Sequence, residues 1–90
     1  MKFIVSWSIP PSTARAAIDR FLATGGLPPA PAKLLGRWNG ADATGFAIVE
    51  TSDPKAIYEF CASWFDLLPI RATPCLEDAD TGAILQKLPR

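Results

Sequence analysis

The 90-residue chain contains no histidine and only two cysteines, Cys61 and Cys75. Without histidine a Ser-His-Asp triad cannot form, and a zinc site would depend on cysteines and carboxylates alone. The two cysteines show no CxxC spacing and are too few for a disulfide framework. We therefore expect no metal site, no cofactor and no dependence of the fold on disulfide bonds.

Neither sign of charge is in excess, because nine basic residues balance nine acidic ones. Nucleic-acid-binding proteins usually carry a basic surface, since contacts to phosphates dominate their affinity. The sequence also lacks a run of about 20 apolar residues, the length that spans a membrane. Its apolar opening at Met1–Val5 is too short for a secretory signal. We therefore expect a cytoplasmic protein that binds neither nucleic acid nor membrane.

The residue patterns predict the order strand, helix, strand, and this order occurs twice along the chain. The clearest boundary is Asp53-Pro54, because aspartate caps a helix and proline suits its first position. Pro74 places the last strand at a sheet edge, since proline cannot donate a hydrogen bond to a neighbouring strand. The predicted elements are strands at Lys2–Ser8, Lys33–Asn39, Gly45–Glu50 and Pro69–Glu77, helices at Thr13–Ala23 and Pro54–Asp66, and a short C-terminal helix at Asp80–Lys87.

This order predicts one α+β domain over residues 1–90, a ferredoxin-like βαββαβ antiparallel sheet with two helices on one face. The strands, however, carry apolar side chains on both faces: in the third strand Phe46 and Ile48 alternate with Ala47 and Val49. Two helices cover only one face, so the second needs another cover. In so short a chain the simplest cover is a second copy, and we expect a homodimer with a barrel-like interior.

Three segments, Met1–Trp7, Lys33–Trp38 and Gly45–Glu50, resemble a bacterial family of domains of unknown function that is grouped with the dimeric α/β-barrel superfamily. The resemblance extends over about residues 1 to 78 and implies a ferredoxin-like protomer in a homodimer. It implies no reaction, since the superfamily includes monooxygenases, isomerases, haem-binding enzymes and ligand-sensing domains. Members with haem often use a histidine ligand, which this chain lacks.

Trp7, Arg37 and Phe46 are the candidate ligand contacts. On paired central strands we expect their side chains to share the face away from the helices, where an apolar pocket with a polar group is typical of a small-molecule site. Arg37 can bind a carboxylate bidentately or stack on an aromatic ring. Alternatively, the aromatic rings are dimer core, and Arg37 is solvated or pairs with Glu50 across the hairpin. Trp38 faces opposite to Arg37, and we expect it to pack under a helix.

Glu50 is the one candidate for a catalytic role. A carboxylate in an apolar site has a raised pKa and can act as a general base. The alternative is a strand-end carboxylate in water, without such a role.

The sequence therefore favours a small homodimer that binds a small, largely apolar or aromatic molecule in an interior pocket. A cofactor-independent enzyme of the monooxygenase or isomerase kind is one alternative, and it needs an acid or base inside the pocket. A structural dimer with a filled core and no ligand is the other.

Overall fold

A computed structural model describes residues 1–89 of the chain. Its elements follow the order β1 (Lys2–Ser8), a 3-10 turn (Pro11–Thr13), α1 (Ala14–Thr24), β2 (Lys33–Asn39), β3 (Thr44–Glu50), α2 (Pro54–Ala62), β4 (Ile70–Cys75) and α3 (Asp78–Leu85). The strands form an antiparallel sheet in the order β2-β3-β1-β4. The predicted α+β ferredoxin-like topology is confirmed, and β4, which contains Pro74, lies at an edge as expected.

Local signals set most of the helix boundaries. Asp53 caps α2 by accepting a hydrogen bond from the Lys55 backbone N–H at 2.9 Å, and Pro54 is the first residue of the helix. Gly25 ends α1 in the left-handed conformation, with φ of 76°, which glycine adopts at no steric cost. α2 ends at Ala62, earlier than predicted, where the Ser63 hydroxyl donates to the Phe60 carbonyl at 2.6 Å. Such side-chain bonds compete with continuation of the helix.

The hydrophobic core lies between one face of the sheet and the two helices. Val5, Ala47 and Val49 are completely buried at the centre of that face. α2 packs on them through three buried side chains, Ala56, Ile57 and Phe60. We call this side the helix face and the opposite side the open face.

A bulge in β2 decides which side chains reach each face. Leu34 pairs with Val49 and Gly36 with Ile48, so Leu35 between them is an extra residue. Because strand side chains alternate, one extra residue reverses the facing of everything after it. Arg37, which pairs with Ala47, consequently shares the helix face with Leu34, and Trp38 lies on the open face.

Polar contacts help to hold α1 in place. Ala17 is the only residue of α1 that is buried, and Leu22 is 74% exposed. Arg20 binds both carboxylate oxygens of Asp66 at 2.8 and 2.9 Å and also donates to the Ser63 carbonyl at 2.7 Å. At the start of the helix, the Thr13 hydroxyl donates to the Leu67 carbonyl at 2.6 Å. These bonds attach α1 to the segment that follows α2.

The C-terminal helix α3 extends beyond the compact part of the chain. None of its residues is buried, and the Cα atoms of residues 1–89 span 49 Å in their longest direction and 29 Å in the next. Among these residues, no helix has both the length and the hydropathy that crossing a membrane requires.

Candidate functional site

A cavity of about 120 Å³ lies between α1, α2 and the helix face of the sheet. The sheet, α1 and the segment around α2 each contribute to its wall. Its lining is almost entirely apolar, and it consists of Trp7, Ile9, Ala17, Ile18, Phe21, Gly26, Arg37, Phe60, Trp64, Leu68 and Ile70. Ala17 of α1, a small buried side chain, forms part of this wall.

Trp7 reaches the cavity across the backbone of the neighbouring strand. It pairs with Gly45 of β3, and a Cβ atom added at Gly45 would lie only 2.6 Å from Cζ2 of the indole and 2.8 Å from its Nε1. The ring therefore lies directly on the glycine backbone, and only the absence of a side chain there allows it. Trp7 is partly buried and packs against the core.

Arg37 lies at the rim of the cavity and binds the end of α1. Its two terminal nitrogens donate to the carbonyls of Gly26 at 2.6 Å and Gly25 at 2.9 Å. The guanidinium also lies 4.8 Å from the centre of the Phe21 ring, a cation–π distance. The alternative in which Arg37 pairs with Glu50 is wrong, because β2 continues past the bulge with Arg37 opposite Ala47.

Other titratable groups lie away from the cavity. Glu50 is exposed at the end of β3, opposite Lys2 on one side and Lys33 on the other. The apolar setting proposed for this carboxylate is therefore not found, although its catalytic role stays an untested prediction. Burial raises the pKa of the Cys61 thiol, which disfavours the reactive thiolate. Residues 1–89 contain no cluster of three histidine, cysteine, aspartate or glutamate side chains that could hold a metal ion.

The open face carries a second group of apolar side chains. Trp38 and Phe46 stack there with their ring centres 5.3 Å apart and their planes at 24°. The register adds Ile4 and Ile48 beside them. Trp38, Phe46 and Ile4 are between 40% and 56% exposed, so this face lacks a cover within residues 1–89.

The three predicted ligand contacts are thus divided between the two faces. Trp7 and Arg37 do share a face and line one cavity, but it is the helix face. Phe46 lies on the open face opposite Ser6. The expectation that all three face away from the helices is wrong, and so is the expectation that Trp38 packs under a helix. The cause is the strand register of β3, together with the bulge that reverses the end of β2.

Phe21, Phe60 and Trp64 could not be recognised from the sequence as parts of a site. Each belongs to an apolar stripe of a predicted helix, a pattern typical of residues that pack in the hydrophobic core. Only the structure shows that these three aromatic residues line one cavity.

Comparison with known proteins gives a family but no function. No curated protein matches the chain significantly, and no solved structure does. A family model described as a domain of unknown function, DUF3303, matches residues 1–89. The expected membership in a family of unknown function is confirmed, whereas its grouping with dimeric α/β barrels stays a prediction. The chain belongs to the DUF3303 family.

Proposed function

We propose that this protein is a homodimer that binds a small, largely apolar molecule in the cavity between its helices and its sheet. The observation that carries the proposal is the cavity itself, whose wall is aromatic and aliphatic apart from the rim at Arg37. A well-packed core leaves few spaces larger than a water molecule. An apolar space of this size, with few groups to bind water, favours an apolar occupant.

The cavity volume limits the size of that molecule. Engineered apolar cavities of roughly 150 Å³ bind benzene, and this cavity measures about 120 Å³. We infer a ligand whose buried part is a single aromatic ring or a short branched hydrocarbon. A larger ligand would require α1 to move outward. Little buried surface opposes that movement, because Ala17 is the only buried residue of α1.

Arg37 supplies the polar preference of the proposed site. Two of its five N–H groups donate to the carbonyls of Gly25 and Gly26, which leaves others for a ligand. In residues 1–89 it forms no ion pair with an acidic side chain. An anionic group attached to the buried ring would meet an uncompensated positive charge at the rim. The preferred ligand is therefore an aromatic carboxylate of benzoate size.

Ligand binding can be tested by calorimetry with toluene and benzoate as probes. Ala17→Leu places a larger side chain in the cavity and should abolish binding of both. Ala16→Leu adds the same atoms to an exposed position of α1 and should leave binding unchanged. If neither probe binds the parent protein, or if both alanine variants bind alike, the cavity is not a ligand site.

The role of Arg37 needs a separate pair of variants. Arg37→Met keeps the aliphatic stem and removes the charge, so it should weaken benzoate binding and spare toluene. Arg20→Met is the matched control, because Arg20 also attaches α1 through hydrogen bonds but does not line the cavity. Equal benzoate affinity in all three proteins would remove Arg37 from the site and keep the cavity.

The homodimer is supported by the open face, where Trp38, Phe46 and Ile4 expose about half of their surface. Exposed apolar patches of this kind commonly mark protein interfaces. The resemblance to dimeric α/β barrels favours the same arrangement, with two open faces packed together. Sedimentation equilibrium should give twice the 9.7 kDa protomer mass. A protein that is still a monomer at about 100 μM would refute the homodimer, because association increases with protomer concentration.

A further inference from the structure

The apolar side chains of α3 are largely exposed, and none of its residues is buried. Ile84, Leu85 and Leu88, in the helix and just after it, are 49%, 55% and 56% exposed. A helix of eight residues is unstable alone in water, because nucleation costs more than so few hydrogen bonds return. α3 therefore needs a surface elsewhere.

The open face is the complementary surface, since it lacks a cover and α3 lacks a support. Its four strands have six or seven residues each and, at a spacing of about 4.8 Å, cover a projected area of roughly 430 Å². Each partner of a standard interface buries about 800 Å². A helix from each copy would enlarge the contact between two such sheets.

The position of α3 at the sheet edge favours the partner over its own protomer. An ion pair between Lys2 of β1 and Glu77 fixes the chain just before α3 begins. α3 thus starts at the β4 edge, whereas Trp38 and Phe46 lie on β2 and β3 toward the other edge. If two open faces meet about a twofold axis parallel to the strands, the β4 edge of one copy lies over the β2 edge of the other.

The charges at this edge are also complementary. The first turn of α3 carries Asp78 and Asp80, and the register places Lys33 at the open face of β2. Within residues 1–89 none of these three side chains forms an ion pair. Exposed ion pairs add little affinity, but they orient partners.

We propose that α3 is an exchanged arm: in the homodimer, α3 of each copy packs on the open face of the other, against Trp38 and Phe46. The proposal rests on the homodimer proposed above and adds the segment that completes its interface. The occupant of the open face is thus a second copy of this chain, its sheet and its arm together.

The first test measures the dimer dissociation constant by sedimentation equilibrium. The double variant Ile84→Asp, Leu88→Asp places charges on the arm and should weaken the dimer by about tenfold or more. Leu22→Asp makes one such change at an exposed position of α1 and should leave the constant unchanged. If the arm variant dimerises as tightly as the parent, the exchange of α3 is refuted and the homodimer stands. The same conclusion follows if Leu22→Asp weakens the dimer as much as the arm variant does. A monomeric parent refutes both.

The second test locates the docking surface with a double-mutant cycle. Trp38→Ser and the arm variant are measured alone and combined in one chain. If α3 contacts Trp38 of the partner, the combined loss should differ from the product of the single losses by about fivefold. Agreement of the combined loss with that product would show that α3 docks elsewhere and would refute its place on the open face.

Discussion

Replacing Gly45 by alanine tests how the cavity is built. The added Cβ would lie 2.6 Å from Cζ2 and 2.7 Å from Cε2 of the Trp7 ring, closer than such atoms approach. Overpacking of this kind costs about 1–3 kcal/mol. Replacing a strand glycine returns about 0.5–1 kcal/mol of backbone entropy, so we expect a net loss of about 1–2 kcal/mol. In a domain of this size that loss lowers Tm by roughly 5–15 °C.

The direction in which the ring escapes makes the prediction sharper. The free space next to Trp7 is the cavity, so the displaced indole should enter it and reduce toluene binding as well as stability. Thermal unfolding followed by circular dichroism and calorimetry on the same samples measure both effects. Gly82→Ala is the control for the added atom: a Cβ there meets no atom within 4 Å, so this change should lower neither Tm nor toluene binding. A Gly45→Ala protein that melts at or above the parent Tm would refute the placement of Trp7.

Three further predictions concern the core, the acid response and the arm. Phe60→Ala should lower the free energy of unfolding in urea by about 3–5 kcal/mol, because Phe60 is 4% exposed. Tyr58→Ala is the control: Tyr58 is 70% exposed, and its replacement should change stability by less than about 0.5 kcal/mol. Hydrogen bonds from Arg20 lower the pKa of the Asp66 carboxyl, so this pair stabilises the fold above the ordinary carboxyl pKa, and the contribution is lost as pH falls below about 4. Asp66→Asn should therefore make the urea midpoint less sensitive to acid, and an unchanged pH profile would contradict this. Gly82→Ala should strengthen the α3 helix by about 1 kcal/mol and should tighten the dimer if α3 docks as proposed, whereas a weaker dimer would contradict that docking.

The sequence predicts the fold well where one residue type has one structural consequence. Asp53-Pro54 marks the start of α2 because the cap and the fixed φ of proline both act locally. Pro74 indicates the edge strand because proline has no N–H to donate to a second neighbouring strand. Such signals need no knowledge of the rest of the chain.

The candidate site was harder to predict because it depends on register. The run Lys33–Trp38 reads as regular alternation, and nothing in its residue types shows that Leu35 is the extra one. The same holds for Gly45, whose role becomes visible only when β1 places Trp7 opposite it. Trp7 and Arg37 could be chosen from their chemistry, but the face they occupy follows from the pairing of three strands.

The two irregularities of the sheet also bear on how the protein avoids aggregation. Its edges are β2, interrupted by the bulge at Leu35, and β4, where Pro74 removes a hydrogen-bond donor. An intact edge is a template on which strands of other molecules add without limit. Both edges here are impaired as templates, so open-ended growth of the sheet from one molecule to the next is disfavoured. Association through the face, in contrast, ends when two copies have met.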